Sequence, residues 1–148
     1  MGVKYSDKYS VKHLNRTVDP IIIASTLEDE AVINKTNKTV TCQKLHEIAR
    51  NLKVQPKEVG IQAELMKLRI RECQLGLFGH EPNGKNFNID VEISEELNSE
   101  IQQITTDGRT TCIKCWDIAS KLKITLLDVG SACEKLGIKV KYCQLDAF

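Results

Sequence analysis

Cysteine offers the widest chemistry in this chain, because its thiolate binds soft metals and reacts with oxidants. Six cysteines are present, and a CIKC motif at 112–115 has the spacing of a metal-ligating or redox pair. Two others open the related words CQLGLF, at 73–78, and CQLDAF, at 143–148. Two explanations compete: the cysteines serve a metal or redox site, or the word is the shared ending of a duplicated structural unit.

A duplication accounts for the repeated words. Residues 41–78 align without a gap on residues 111–148, at an offset of 70, and 14 positions are identical. The chain is therefore a tandem repeat. Cys115 and Cys133 of the second copy correspond to Leu45 and Ala63 of the first. Positions that accept such residues are typical of a core, where free cysteine packs as a small hydrophobe.

Structural packing is thus the favoured role of the cysteines, and no cofactor is expected. Two four-thiolate sets are the alternatives for zinc or an iron–sulfur cluster. They are Cys112, Cys115, Cys133 and Cys143, or Cys42, Cys73, Cys112 and Cys143. Strand parity would place Cys73 and Cys143 beside neighbouring cations, which lower a thiol pKa. A bulge at either cysteine would turn it inward and remove that effect.

Cations alternate with apolar residues near the end of each copy. Lys67, Arg69 and Arg71 share one face of a predicted strand in the first copy, and Lys139 and Lys141 do so in the second. Such faces suit phosphate contacts, which give salt-sensitive and weakly specific affinity. A merely solvated strand face is the alternative.

Composition limits the class of protein. The 148 residues carry a net charge of +1, divided as +1, +3 and −3 over residues 1–40, 41–85 and 86–148. A polyanion should therefore prefer the middle of the chain. No apolar run is long enough to span a bilayer, so we expect no membrane partner. Cysteines without a secretion signal indicate a reducing compartment, and we expect a cytoplasmic protein.

Each copy has the pattern helix, helix, tight turn, helix, strand. In the second copy Ser94, Thr111 and Thr125 are predicted N-caps, and the last helix should end at Gly137 before the strand IKVKY. This order, with apolar residues at the interhelical positions, resembles the helix-turn-helix superfamily in its winged-helix branch. Lys53 and Lys123 stand where that family's turn usually carries glycine.

The predicted fold is α+β and mainly helical, with two tandem winged-helix-like units that share a small β-sheet. Asn83-Gly84 and the alternating FNIDVEI at 87–93 predict a wing hairpin that pairs about 67–76 with about 86–93. The predicted organisation is a polar tail at 1–24, a first unit at 25–93 and a second at 94–148. CQLGLFGH is also faintly similar to wording in molybdate-responsive, ModE-type bacterial regulators, a likeness that assigns no residue roles.

The resemblance implies a DNA-binding transcriptional regulator. The sequence has no nucleophile–base constellation, phosphate-binding glycine loop or paired carboxylate pattern, so we do not expect an enzyme. The candidate DNA-binding residues are Gln55, Lys57, Lys67, Arg69, Arg71, Lys85, Lys139 and Lys141. The second recognition helix is apolar and acidic, so its Leu126-Leu127 pair suggests a packing face instead. Two alternatives follow: a module that binds another protein or a second copy of itself through Leu126 and Leu127, and a thiol- or metal-responsive sensor on the same fold.

Overall fold

The computed structural model describes residues 19–31 and 38–148. This part of the chain is α+β and about half helical. Its helices are α1 (Pro20–Thr26), which continues into a π-helical turn at Leu27–Ala31, α2 (Cys42–Leu52), α3 (Pro56–Leu65), α4 (Glu95–Gln103), α5 (Cys112–Leu122) and α6 (Leu126–Lys135). Its strands are β1 (Thr39–Thr41), β2 (Arg69–Arg71), β3 (Arg109–Thr111) and β4 (Lys139–Lys141). Within these ranges, no helix is long and apolar enough to cross a membrane.

Local hydrogen bonds set the helix limits as the sequence predicts. The Ser94 hydroxyl accepts from the backbone N–H of Leu97, and the Thr125 hydroxyl accepts from that of Asp128. Thr111 caps α5 in the same way. Each cap satisfies a backbone donor that the first helical turn leaves unpaired. The predicted caps, and the helices that they begin, are confirmed.

The turn that joins the paired helices of each repeat is left-handed. Lys53 ends α2 with φ of 58°, and Lys123 ends α5 with φ of 57°. Glycine adopts this conformation without steric cost, whereas a side chain adds roughly 1 kcal/mol. Lysine therefore replaces the expected glycine without changing the backbone shape of the turn.

The strands pair differently from the prediction. β1 pairs with β2, and β3 pairs with β4, each pair being parallel and each forming its own small sheet. The prediction of one shared sheet is therefore wrong. Each repeat is a strand, two helices and a returning strand, and the two helices make the crossover that a parallel pair requires.

The predicted wing hairpin is not formed. Residues 87–93 are not a strand, although His80 and Gly84 bridge each other across the predicted tip. β2 ends at Arg71 because Glu72 is left-handed, with φ of 55°, and its N–H donates to the Gly79 carbonyl in a local turn. The backbone N–H and C=O groups that a hairpin would use are thus already hydrogen-bonded, either to β1 or to other residues of that turn.

Contacts divide the described residues into two compact units. Unit 1 contains residues up to Arg71 together with Leu145–Ala147, and unit 2 contains Glu72–Gln144 together with Phe148. These limits differ from the ranges 25–93 and 94–148. Of the expected tail at 1–24, residues 1–18 lie outside the described residues, and α1 begins at Pro20.

The leucine of each CQL word packs with helices of the other repeat. Cys73 and Leu75 lie in the core of unit 2 with residues of α4, α5 and α6. Leu145, from the second word, is buried in unit 1. The leucines of the two words are thus exchanged between the repeats, while Cys143, Gln144 and Phe148 of the second word belong to unit 2. Phe78 is partly buried against the core of unit 2, whereas Phe148 remains 46% exposed; the two rings meet edge to face, with 5.8 Å between their centroids.

Candidate nucleic-acid interface

The parallel strand pair of unit 1 gathers two of the predicted cations on one face. Arg69 is paired with Thr39, and Arg71 with Thr41. Partners in a parallel pair point to the same side, so both arginines share a face with the two threonines. The alternate residue Val40 is buried at 1% exposure, whereas Arg69 is exposed and Arg71 is half-buried.

The equivalent face of unit 2 contains a cation that sequence reasoning missed. Arg109 is paired with Lys139, and Thr111 with Lys141. All three cations are exposed. Lys139 and Lys141 lie about 6.6 Å apart along their strand, and Arg109 lies about 4.8 Å away on the next one. We call this three-cation surface the basic face of unit 2.

Little in the sequence indicated that Arg109 would join this face. It belongs to TDGRT, which indicates a turn, and the first copy has Thr39 at the corresponding position. Only the parallel register brings it beside Lys139. Thr110, the partner of Val140, is 4% exposed, so the neighbouring Arg109 points to the opposite, outer face.

The remaining predicted DNA contacts are dispersed. Gln55 precedes α3, where its backbone N–H donates to a Glu58 carboxylate oxygen at 3.0 Å, and Lys57 is half-buried in the first turn. Lys67 is exposed in a left-handed conformation just after α3. Lys85 pairs with Glu134, with 3.7 Å between Nζ and Oε2, and lies over the Phe87 ring. An acid of its own unit thus already offsets the charge of Lys85.

The face of α6 that would enter a DNA groove is covered within unit 2. The backbone N–H of Asn88 donates to the Ser131 hydroxyl at 2.8 Å, and the Lys135 amine donates to the Val91 carbonyl at 3.2 Å. Leu75 and Gly76 lie on the same helix, against Gly130 and Leu127. The segment 75–91 therefore already covers the face of α6 that a DNA groove would otherwise contact.

Leu126 and Leu127 are accordingly not a free apolar face. Leu126 packs against the core of unit 2, and the Leu127 side chain lies beside Gly76. Both residues are half-buried. The partner surface expected at this pair is largely used within the unit itself.

Two glycines allow the exchanged words to reach their helices. A Cβ at Gly130 would lie 1.9 Å from the Leu75 carbonyl oxygen, and a Cβ at Gly60 would lie 1.9 Å from that of Leu145. These distances are far below any van der Waals contact, so only glycine permits the approach. The sequence did indicate these two positions, because both copies keep a glycine in the middle of a helix. Glycine there destabilises a helix by about 1 kcal/mol relative to alanine.

A left-handed residue precedes each of the cysteines that open the CQL words. Glu72 and Tyr142, with φ of 55° and 59°, immediately precede Cys73 and Cys143. Cys73 turns inward and is 5% exposed. The expectation that strand parity places it on the cationic face is wrong for this residue, because the kink interrupts the alternation.

Five of the cysteines belong to unit 2, and Cys42 lies in unit 1. Burial raises the pKa of the Cys112 thiol to about 12; Gln144 opposes this as a hydrogen-bond donor, while Cys143 and Cys73 raise the pKa further. Of the two predicted thiolate sets, the one with Cys115 and Cys133 lies within unit 2. Among the described residues, no group of three or more cysteine, histidine or acidic side chains is arranged to hold a metal ion.

Comparisons with protein-family models, with curated proteins and with solved structures found no match. A function for this chain must therefore be argued from its own surfaces. The cationic faces of the two strand pairs are the surfaces that suggest a partner, because exposed clustered cations attract polyanions.

Proposed function

We propose that this protein binds duplex DNA through the cationic faces of its two strand pairs and acts as a transcriptional regulator. The observation that carries the proposal is the parallel register of unit 2, which adds Arg109 to the predicted Lys139 and Lys141. Three exposed cations within one small surface suit the phosphate backbone, whose condensed counterions are released on binding.

The strand faces are better candidates than the helices. Residues 75–91 already occupy α6, and in unit 1 the Gly60 side of α3 is occupied by Leu145. Base readers are usually Arg, Lys, Asn or Gln side chains presented to a groove, and the one such side chain on α6, Lys135, already donates to the Val91 carbonyl. We therefore propose phosphate contacts that position the protein, with weak preference for sequence.

The resemblance to the helix-turn-helix superfamily supports DNA as the polyanion. In both repeats two helices are joined through a left-handed residue, Lys53 or Lys123, as in that motif. The proposal departs from the family in the contacting element, which is here the strand that follows the two helices.

Fluorescence anisotropy with random-sequence duplex DNA, measured from low to moderate salt, tests the proposal. We expect affinity that falls steeply with salt, because each phosphate contact contributes about 0.9 to the slope of log K against log salt. Replacing Lys139 and Lys141 together with glutamine should reduce the slope by about 2. A protein that does not bind DNA at low salt would contradict the proposal outright.

A matched control is available in the same unit. Lys114 and Lys123 are also exposed, and their joint replacement by glutamine removes the same charge from positions outside the basic face. The slope should then stay near that of the wild type. If both pairs reduce binding equally, net charge and not the basic face is responsible.

A second candidate function is self-association through unit 1. Ile21 in α1 is 74% exposed and Leu65 in α3 is 71% exposed, with Ile22 and Ile61 partly exposed on the same two helices. Packed helices that expose several large apolar residues are typical of an interaction surface. Sedimentation velocity of Leu65→Ser against wild type tests it: a wild-type monomer at high concentration would exclude this function.

A further inference from the structure

Two buried cysteines face each other across the helix pair of unit 2. Cys115 in α5 is 0% exposed and Cys133 in α6 is 1% exposed. Each of the two thiols is the largest influence on the pKa of the other. Both residues lie in one core, on two helices that pack against each other, and a disulfide forms only between cysteines that are neighbours in this way.

Packing alone does not require sulfur at these positions. In unit 1 the corresponding residues are Leu45 and Ala63, and both are fully buried at 0% exposure. The same crossover between two helices is thus built with an aliphatic pair in one repeat and a dithiol in the other. The dithiol gives unit 2 a chemistry that unit 1 lacks.

We propose that Cys115 and Cys133 are a redox-active pair that a hydroperoxide converts to a disulfide linking α5 to α6. The inference stands apart from DNA binding, since none of the cations of the basic face takes part in it. A hydroperoxide is the oxidant that suits this position, because the pair is buried and a small neutral molecule reaches it more readily than a bulky disulfide.

The two sulfurs have different roles in the reaction. The hydrogen bond from Cys115 lowers the pKa of the Cys133 thiol, against the opposing effect of burial. The same bond, together with burial, raises the pKa of Cys115. Cys133 is therefore the sulfur that ionises first, and the thiolate is the nucleophilic form.

The steps balance with one hydroperoxide. The Cys133 thiolate attacks one peroxide oxygen, the O–O bond breaks, and protonation of the departing oxygen yields a sulfenic acid and one water from hydrogen peroxide. The Cys115 sulfur then attacks the sulfenic sulfur, and the displaced hydroxide leaves as a second water with the Cys115 proton. Two thiols are oxidised by two electrons while the peroxide is reduced.

Trypsin gives an unusually clear readout, because each of the six cysteines falls on its own peptide. Cys115 lies on CWDIASK, at 115–121, and Cys133 lies on ITLLDVGSACEK, at 124–135. The native protein is exposed to hydrogen peroxide, catalase ends the reaction, and free thiols are alkylated after denaturation. Mass spectrometry then identifies the linked and the alkylated peptides.

We expect CWDIASK and ITLLDVGSACEK to lose their alkylated forms in equal proportion and to reappear as one cross-linked species. The peptides of the other cysteines should keep their label, and dithiothreitol should restore both alkylated peptides completely. Linkage of Cys73, Cys112 or Cys143 in place of this pair would overturn the proposal. So would a wild-type protein in which Cys115 and Cys133 stay alkylatable throughout.

The first repeat supplies the control variant. Cys115→Leu with Cys133→Ala installs the aliphatic pair of unit 1, and circular dichroism reports whether the fold is kept. Under the same peroxide treatment this variant should form no disulfide. If it forms one at the wild-type rate, the oxidised pair lies elsewhere and the proposal fails; the peptide map of the wild type decides the matter even if the variant does not fold.

Discussion

Replacing Gly130 with alanine tests the exchange of the CQL words directly. Helix propensity alone favours the alanine by about 1 kcal/mol, since Gly130 lies in the middle of α6. The tertiary structure predicts the opposite sign, because the new Cβ would lie 1.9 Å from the Leu75 carbonyl oxygen. That contact is with backbone, so the whole segment around Leu75 must move away from the helix.

The magnitude follows from what the movement exposes. Leu75 is 0% exposed, and losing a fully buried leucine from a core costs about 2–5 kcal/mol. After the gain in helix propensity is subtracted, we expect Gly130→Ala to reduce the free energy of unfolding by about 2 kcal/mol. Urea denaturation followed by circular dichroism measures the difference.

A double-mutant cycle identifies the cause. If the alanine at Gly130 already displaces Leu75, then Leu75→Ala costs little more in that background, and the coupling should exceed about 1 kcal/mol. Ser120→Ala, on the exposed surface of α5, is the control and should change stability by less than about 0.5 kcal/mol. Stability of Gly130→Ala at or above that of the wild type would refute the reasoning, and so would strictly additive effects.

Two further predictions concern stability. Burial, with a smaller effect from Arg50, lowers the pKa of His46 from 6.5 to about 4, so the unfolded chain binds the proton first as the pH falls. The contribution of His46 to the free energy of unfolding should therefore be complete above pH 6.5, and stability should fall by about 3 kcal/mol as the pH drops to about 4. Urea denaturation measured across this pH range should not show this fall in His46→Leu. An identical pH profile in the variant would exclude His46 as the cause. Lys123→Gly should raise the melting temperature, because glycine adopts the left-handed turn without strain and gains about 1 kcal/mol; a decrease would show that the lysine side chain stabilises the turn.

The cations of the two strand faces could be predicted from the sequence only in part. Arg69 with Arg71, and Lys139 with Lys141, were predicted to share faces because strand side chains alternate, and the strand register confirms this. Arg109 was missed because its place beside Lys139 depends on a parallel register that only the crossover through α5 and α6 creates. Lys85 carries the right charge, but Glu134 engages it.

The sequence by itself determined the duplication, the helix limits and the polar caps. The helix limits and caps depend on hydrogen bonds between residues three or four apart, such as that between Ser94 and the N–H of Leu97, and such bonds form wherever the local sequence permits them. Even the turns at Lys53 and Lys123 are left-handed, although neither residue is glycine.

Tertiary structure alone decided which strands pair and where each CQL word packs. Strand edges offer the same donors and acceptors to any partner, so the competition between a wing hairpin and a parallel pair is settled by distant contacts. Here the left-handed Glu72 ends β2, and the bare surface of Gly130 accepts the backbone of Leu75. The same contacts bury Cys73, and the parallel register of unit 2 brings Arg109 to Lys139, so chemistry visible in the sequence acquired its location only through the fold.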